Sequence, residues 1–201
     1  MIKFSVRVDD SATRKALKNL QEGMQAKVLQ PAINKVAEKA RAEINRAIPQ
    51  EFAVKVGEVR NAINLRKARS GNLEAVIEIF GSARKRGRSL NMVHFLAAVH
   101  GLAVRGKRAK KSELAALDNQ LGFLIKRAGG LKRIAGAFLG NKGRTIFRRV
   151  GKGRLPIEPL QVIGFSQMFS SRRISKRVMD KINADIPVEI DRALKLLMGR
   201  G

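Results

Sequence analysis

Three residue types that often define a protein's chemistry are missing from this sequence: it has no cysteine, no tryptophan and no tyrosine. Without cysteine there can be no disulfide framework, no thiolate nucleophile and no zinc site built on thiolates. The aromatic side chains are instead nine phenylalanines, so the hydrophobic core must be mainly aliphatic. Hydrophobic residues make up 44% of the 201 residues, which is enough to form a folded core.

Long apolar runs are missing as well. No window holds the roughly 20 apolar residues that a membrane-spanning helix needs. The first residues, Met1 to Val8, lack the apolar segment of a secretory signal. We therefore expect no membrane partner, and a protein that is made and used in the cytoplasm or exported only as part of something larger.

Acidic residues are scarce, with 16 Asp and Glu against 42 Lys and Arg, and the formal net charge is +26. Nineteen of the basic residues but only two acidic ones lie between Gly81 and Arg154. Such an excess attracts polyanions or acidic partners and makes copies of the chain repel one another. We therefore expect self-assembly to depend on an acidic partner, DNA or high salt.

Two loops within this segment, 84–88 and 105–111, concentrate the positive charge. Contact with DNA or an acidic partner is favoured here over a merely solvated face, and the contact would be strongly salt-dependent. The near absence of aromatic residues and of a DNA-binding motif gives no support for base-specific reading. The predicted contact residues are Arg84, Lys85, Arg86, Arg88, Arg105, Lys107, Arg108, Lys110 and Lys111.

The parts of a catalytic site are not assembled in the sequence. His94 and His100 are six residues apart, unlike the i, i+4 spacing of a zinc-binding pair on a helix. Acidic residues are scattered, and the stretch 140–144 lacks the spacing of a phosphate-binding loop and fits a turn better. We expect a non-enzymatic protein without cofactor or metal, in which His94 is a structural residue.

The first third of the chain predicts a strand followed by a long helical segment. Apolar and polar residues alternate over 2–8, as in a half-buried strand. A helical stripe of apolar residues then begins near residue 10 and ends at Pro49. Pro31 predicts a kink, and two helices sharing one stripe are favoured over one straight rod. The stripe is expected to pack in the core, with a neighbouring subunit as the alternative partner.

Strands are predicted next. Residues 52–80 alternate in two places around a short turn or helix at 57–62, and 63–65 and 73–80 form an antiparallel hairpin across a Ser-Gly-Asn turn. A basic helical insertion follows at about 81–130. Its two helices are predicted over 91–100 and 113–127.

The remaining elements complete an α+β fold in a single domain. Strands 131–139 and 144–150 are joined by a Gly-Asn-Lys-Gly turn, and a helix kinked at Pro187 covers 171–198. The whole is predicted as a small, mainly antiparallel sheet packed against a long N-terminal helical segment and the kinked C-terminal helix.

Between the last strand and the last helix, the segment Leu155 to Pro159 contains two prolines that fix an extended or turned backbone. A structural turn and a docking surface are equally supported readings of it. Arg149 and Arg154 are placed to pair with Glu158, and an exposed pair of this kind adds little stability outside an interface.

The stretch GRTIFRRVGKGRLPIEPLQVIGFSQMF, residues 143–169, resembles the prophage minor tail protein Z family. Members carry a strand ending F-x-R, then a basic turn, R-L-P-I-E, a loop like Q-M-F and a terminal helix. The front half agrees in layout, and the insertion at 81–127 departs from it by being more basic and more helical. The matching residues are Phe147, Arg149, Arg154, Leu155, Pro156, Ile157, Glu158, Gln167, Met168 and Phe169.

The resemblance implies a tail-completion protein of a long-tailed bacteriophage. Such proteins are non-enzymatic subunits at the head-proximal end of the tail, forming rings, often hexamers, that contact the tail tube, tail terminator or connector around the DNA channel. It implies location in the virion tail or neck, and in the host cytoplasm during assembly. The alternative is a sequence-independent DNA-binding protein of another kind. The predicted assembly interface comprises Arg149, Arg154, Leu155, Pro156, Ile157, Glu158, Met168 and Phe169.

Overall fold

The computed structural model describes residues 2–6, 22–82, 89–96, 121–151 and 153–199. Its first sheet has three antiparallel strands in the order β1-β3-β2, so that β3 lies in the centre. This confirms the predicted N-terminal strand over its described part and the predicted hairpin. The strands are β1 (Ile2–Val6), β2 (Ile63–Arg66) and β3 (Ala75–Ile79).

Glu78 ties the three strands together from the centre of the sheet. The register places it opposite Lys3 of β1 and Asn64 of β2. Its carboxylate accepts a hydrogen bond from Asn64 at 3.1 Å and pairs with Arg66 at 3.0 Å and Lys3 at 3.6 Å. The bond from Asn64 is the main reason that the pKa of Glu78 lies below its ordinary value, so the buried carboxylate stays charged.

Helix α1 runs over Glu22–Glu51 as one 30-residue helix, with both Pro31 and Pro49 inside it. The preferred prediction of two helices divided at Pro31 is therefore wrong. Pro31 is exposed, whereas Val28, three residues before it, and Ala32, the residue after it, are buried. The carbonyl that loses its partner to proline belongs to Lys27, which is also exposed and can be solvated, so the break costs less than it would in the core.

The C-terminal helix also continues through a proline. The predicted stripe of isoleucine and valine from Ile174 to Ile190 is buried, mainly against α1, while Pro187 is exposed. Burying each such side chain stabilises by about 1.5–3 kcal/mol. Several of them together outweigh the roughly 3 kcal/mol that an interior proline costs, so the predicted interruption at Pro187 does not divide the helix.

Two short helices, two 3₁₀ turns and the C-terminal helix complete the helical elements. The short turn or helix predicted at 57–62 is a helix, whereas Phe52, expected in a strand, makes a single bridge to Lys126. The helices are α2 (Val56–Asn61), α3 (Phe165–Phe169) and the long α4 (Arg172–Met198); the 3₁₀ turns are Met92–Phe95 and Arg127–Gly129.

The other strands form two two-stranded ladders and a second three-stranded sheet, all antiparallel. The predicted strand 131–139 is divided at Gly136, whose φ of 71° turns the chain, so its two halves pair with different partners. The ladders are β4 (Ser89–Asn91) with β10 (Gln161–Ile163), and β5 (Gly122–Phe123) with β6 (Lys132–Arg133); the sheet is β7 (Ala137–Gly140), β8 (Thr145–Arg149) and β9 (Ile157–Pro159).

The helical prediction for the insertion is wrong where the structure describes it. Residues 92–95 form a 3₁₀ turn instead of an α-helix, and the expected helix end at 122–123 is strand β5. Phe123 is fully buried and pairs across the bridge with Leu96. Tertiary packing therefore overrides the helical spacing of the apolar residues in this segment. The remaining parts of the two predicted helices, 97–100 and 113–120, lie outside the described residues.

The mixed architecture predicted from the sequence, small antiparallel sheets packed against a long N-terminal helix and a C-terminal helix, is confirmed. Most of the buried apolar residues join one core cluster between the helices and the sheets. Within the part of the chain that the structure describes, no helix has an apolar stretch long enough to cross a bilayer.

Candidate assembly surface

The hairpin β7–β8 is closed by the predicted Gly140–Gly143 turn. Three consecutive residues have left-handed backbone angles, Asn141 at φ 50°, Lys142 at 55° and Gly143 at 80°. Asn and Gly adopt this region most readily, which is why this sequence turns here. Gly140 is required for another reason, since a Cβ there would lie 2.8 Å from the Phe147 ring.

Strand β9 lies at the edge of the sheet, next to β8. The register pairs Phe147 with Pro159 and Arg149 with Ile157. Pro156, just before the strand, and Pro159, its last residue, lack an N–H group, which suits an edge position where no further strand is needed. The Pro156 carbonyl accepts a hydrogen bond from Val150 at 3.2 Å and fixes the chain as it enters β9. The prediction of a proline-fixed extended backbone is confirmed.

Three large apolar side chains are exposed where the chain leaves β8 and enters β9. The exposed fraction is 70% for Leu155, 52% for Val150 and 37% for Ile157. We call residues 149–151 and 153–158 the β9 corner. Several exposed apolar residues in one short segment of fixed backbone make it a candidate for a protein–protein contact, whereas single ones are common on any surface.

Arg149 holds the β9 corner in shape. Its guanidinium donates a hydrogen bond to the Arg154 carbonyl at 3.0 Å and lies 4.9 Å from the centre of the Phe138 ring. Phe138 in turn stacks on Phe147 at 5.9 Å. Arg149 therefore clamps the basic turn onto the sheet, while Arg154 is exposed at the rim.

Glu158 does not take part in the pairing predicted for it. The register places it opposite Arg148 on β8, and Arg149 is turned toward the Arg154 carbonyl. No ion pair in the described ranges joins Glu158 to Arg149 or Arg154. The carboxylate is exposed, so it adds one negative charge to a basic, partly apolar corner.

Met168 and Phe169, also predicted at the interface, lie in α3 and are buried, with exposed fractions of 0% and 6%. Their side chains belong to the hydrophobic core, so they are not available for contact with another subunit. The neighbouring Gln167 accepts a hydrogen bond from the Gly164 backbone N–H at 3.0 Å and caps this helix.

All nine residues of the two predicted DNA-contact loops, from Arg84 to Arg88 and from Arg105 to Lys111, lie outside the described residues. Their proposed role therefore stays a prediction from sequence.

His94 has a structural setting. It lies in the last turn of the 3₁₀ segment, and its Nδ1 is 3.1 Å from the Glu58 carboxylate of α2. His100, the other histidine, is not among the described residues. The described ranges contain no group of three or more His, Asp or Glu side chains arranged to hold a metal ion.

Sequence reasoning did not find an ionic cluster between α1 and α4. Lys39 of α1 lies 2.6 Å from Glu189 and 3.4 Å from Asp185, both buried on α4. Lys181 and Arg192 pair with the same two acids from α4 itself. The sequence did contain a signal for this cluster: two acids four residues apart, Asp185 and Glu189, lie within the apolar stripe of a basic helix.

The electrostatics of this cluster favour the charged forms. Burial by itself raises the pKa of Asp185, but hydrogen bonds from Lys181 and Lys39 outweigh it and the pKa lies below its ordinary value. The pKa of Glu189 is lowered in the same way, against burial, chiefly by Lys39. The hydrogen bond to Glu189 raises the pKa of Lys39.

Comparison with protein families gives one match, which covers residues 9–200 and therefore nearly the whole chain: the family described as prophage minor tail protein Z (GPZ). No curated protein and no solved structure matches the chain significantly.

Proposed function

Because this chain belongs to the prophage minor tail protein Z family and is thus a structural protein of a phage tail, we propose that it completes the tail at its head-proximal end. In this role it is needed for joining the tail to the head and for the passage of DNA. It acts by binding neighbouring proteins and carries out no reaction.

The observation that supports this role most is the β9 corner. Its apolar residues Val150, Leu155 and Ile157 are exposed on a backbone that the prolines and Arg149 hold in place. An assembly interface needs such a rigid apolar centre with a charged rim, because ordering a flexible loop on binding costs free energy. The family-specific sequence motif covers the same residues.

The net charge of the chain, as well as the shape of its surface, indicates which partners it binds. With a net charge of +26, copies of this chain repel one another at low salt. A ring of several copies, expected from the family resemblance, is therefore stabilised by acidic neighbours in the tail tube, terminator or connector, or by DNA in the channel.

The second candidate function, a sequence-independent DNA-binding protein outside the tail, is favoured only by the net charge. Binding to DNA does not separate the two, because a tail protein beside the channel binds DNA too. Stable association with purified tails distinguishes the two functions, because a tail protein must bind tails and a DNA-binding protein outside the tail does not.

Electron microscopy of tails made without this protein tests the proposal. We expect tails of normal length that fail to join heads or to deliver DNA, because the completing layer is absent. Tails that join heads and deliver DNA normally would refute the assignment. Expression of the wild-type protein from a plasmid is the control that restores joining.

A further inference from the structure

A groove whose charged lining residues are almost all basic runs past the last turns of α1. It consists of two adjoining cavities of about 680 and 440 Å³, which share Gln50 and Arg127 as lining residues. Among the described lining residues, only Glu51 is acidic. The side chains that we call the basic groove are Arg46, Arg60, Lys126, Arg127, Arg173 and Arg177.

Two of these arginines hold the walls of the basic groove together. Arg177 of α4 pairs with Glu43 of α1 at 2.6 Å and donates a hydrogen bond to Gln50 at 2.6 Å. Arg127 donates from Nε to the Pro49 carbonyl, also at 2.6 Å, and so satisfies the end of α1. The walls are therefore fixed by contacts that do not depend on a ligand.

The other basic side chains remain available. Arg46, Arg60 and Arg173 are exposed, and none of them takes part in an ion pair within the described residues. In the cleft along β2, by comparison, two of the three described basic lining residues are paired, Arg66 with Glu78 and Lys67 with Glu38. The basic groove is thus a local excess of positive charge with a defined shape.

The stability of the fold does not explain this charge. Helix α4 begins with Arg172 and Arg173, followed one turn later by Lys176 and Arg177, and its first turn has no acidic residue. Cations at the start of a helix oppose its dipole, at a cost of about 0.3–1 kcal/mol each. Charges that are unfavourable for the helix are consistent with a role in binding an anion.

We propose that the basic groove binds the phosphate backbone of duplex DNA without reading its sequence. Five of its six basic residues are arginines, whose planar guanidinium matches two phosphate oxygens at once. None of the exposed large hydrophobic residues in the described ranges is aromatic, so bases of a single strand would find no stacking surface.

An acidic protein segment is the competing ligand, and the groove suits it less well. Protein interfaces have an apolar centre, whereas most of the exposed side chains on the described walls are charged or polar, and Val56 is the one large apolar side chain exposed among them. The basic groove shares no residue with the β9 corner, and its test uses purified protein. Its failure therefore leaves the proposed place in the tail untouched, and the reverse also holds.

The test measures binding of two fluorescent DNA duplexes of unrelated sequence to the full-length chain, as a function of salt. The groove variant is Arg46→Gln/Arg60→Gln/Arg173→Gln. The matched control, Arg69→Gln/Arg133→Gln/Arg144→Gln, removes the same charge from exposed arginines outside the groove. Both variants change only exposed side chains, and we expect both to keep the wild-type melting temperature.

We expect the groove variant to bind both duplexes more than tenfold more weakly at low salt. The slope of log affinity against log salt should fall by about 2.7, because each phosphate contact contributes about 0.9. In the control, both the loss of affinity and the fall in slope should be much smaller. The single variant Arg60→Gln should lower the slope by about 0.9, which repeats the test with a minimal change.

Equal losses in the groove variant and the control would overturn the proposal, as would an effect on only one of the two duplexes. Polyglutamate is the second probe. A groove variant that loses binding to polyglutamate but keeps its binding to DNA would assign the groove to an acidic protein and overturn the proposal as well.

Discussion

Lys39 is placed where a single side chain connects the two longest helices. It contacts Glu189 and Asp185, which have exposed fractions of 3% and 6%, while its own side chain is 31% exposed. Acids buried to this extent are tolerated only when they are paired, since an unpaired buried charge costs several kcal/mol. The contact therefore specifies how α1 and α4 align, in addition to the apolar stripe beneath it.

Replacing Glu189 with Gln tests this role. The variant keeps the size of the side chain but leaves Lys39 without its closest charge, and we expect the free energy of unfolding to fall by about 1–3 kcal/mol. Urea unfolding at pH 7 measures it. The control, Asp191→Asn on the same helix, removes an exposed partner of Lys195 and should change stability by less than about 0.5 kcal/mol. Equal effects of the two variants would contradict the account.

The stability difference between the wild type and Glu189→Gln should also depend on pH. The folded-state pKa of Glu189 lies below its ordinary value of 4.5, so its contribution is present above pH 4.5 and is lost as the pH falls further. The difference in unfolding free energy between the wild type and Glu189→Gln should therefore be constant from pH 7 to 5 and shrink below that. A difference that grows on acidification would show that the charge of Glu189 does not stabilise the folded state.

At the scale of elements, prolines and glycines show which structural features can be predicted from the sequence and which cannot. The hairpin turn at Gly140–Gly143 and the buried stripe of α4 follow from local rules and are confirmed. Pro31 and Pro187 predicted interruptions, but both face solvent, and packing on the opposite side keeps each helix continuous. Which face a proline occupies depends on the tertiary fold.

Pro187 should consequently reduce the stability of α4. In Pro187→Ala the restored N–H group can bond to the Asn183 carbonyl, and we expect a gain of about 1–3 kcal/mol in unfolding free energy, lessened by the greater freedom of the unfolded chain. Chemical denaturation compares it with Val188→Ala, a neighbouring exposed position where the gain should stay near 0.5 kcal/mol. A loss of stability in Pro187→Ala would mean that the ring itself stabilises the helix.

Strand β5 marks a second limit of prediction at this scale. Leu121, Leu124 and Ile125 have helical spacing, yet the chain is extended at Gly122–Phe123. A Cβ at Gly122 would lie 2.6 Å from the Leu131 side chain, so a larger residue there would have to displace that side chain. This contact joins residues nine apart and leaves no local periodic signal.

At the scale of the whole molecule, part of the predicted interface lies at the surface, whereas the basic groove has no counterpart among the predictions from sequence. Leu155 and Ile157 were predicted at an interface and are exposed, whereas Met168 and Phe169 of the same prediction lie in the core. The basic groove was not predicted, because its arginines come from four separate parts of the chain and meet only on folding. A loop that is rich in charge can be recognised in a sequence. A groove formed by single charges from distant parts of the chain cannot.

The central claim is that this protein acts in the tail through the β9 corner, and complementation tests it most directly. Phage lacking the protein is supplied with the wild type, with Leu155→Ala/Ile157→Ala, or with Leu196→Ala/Met198→Ala, a pair of comparably exposed residues on α4. Electron micrographs then give the fraction of tails joined to heads. We predict that the corner variant folds but leaves tails unjoined, while the α4 variant restores joining to the wild-type fraction. Full restoration by the corner variant would contradict the account.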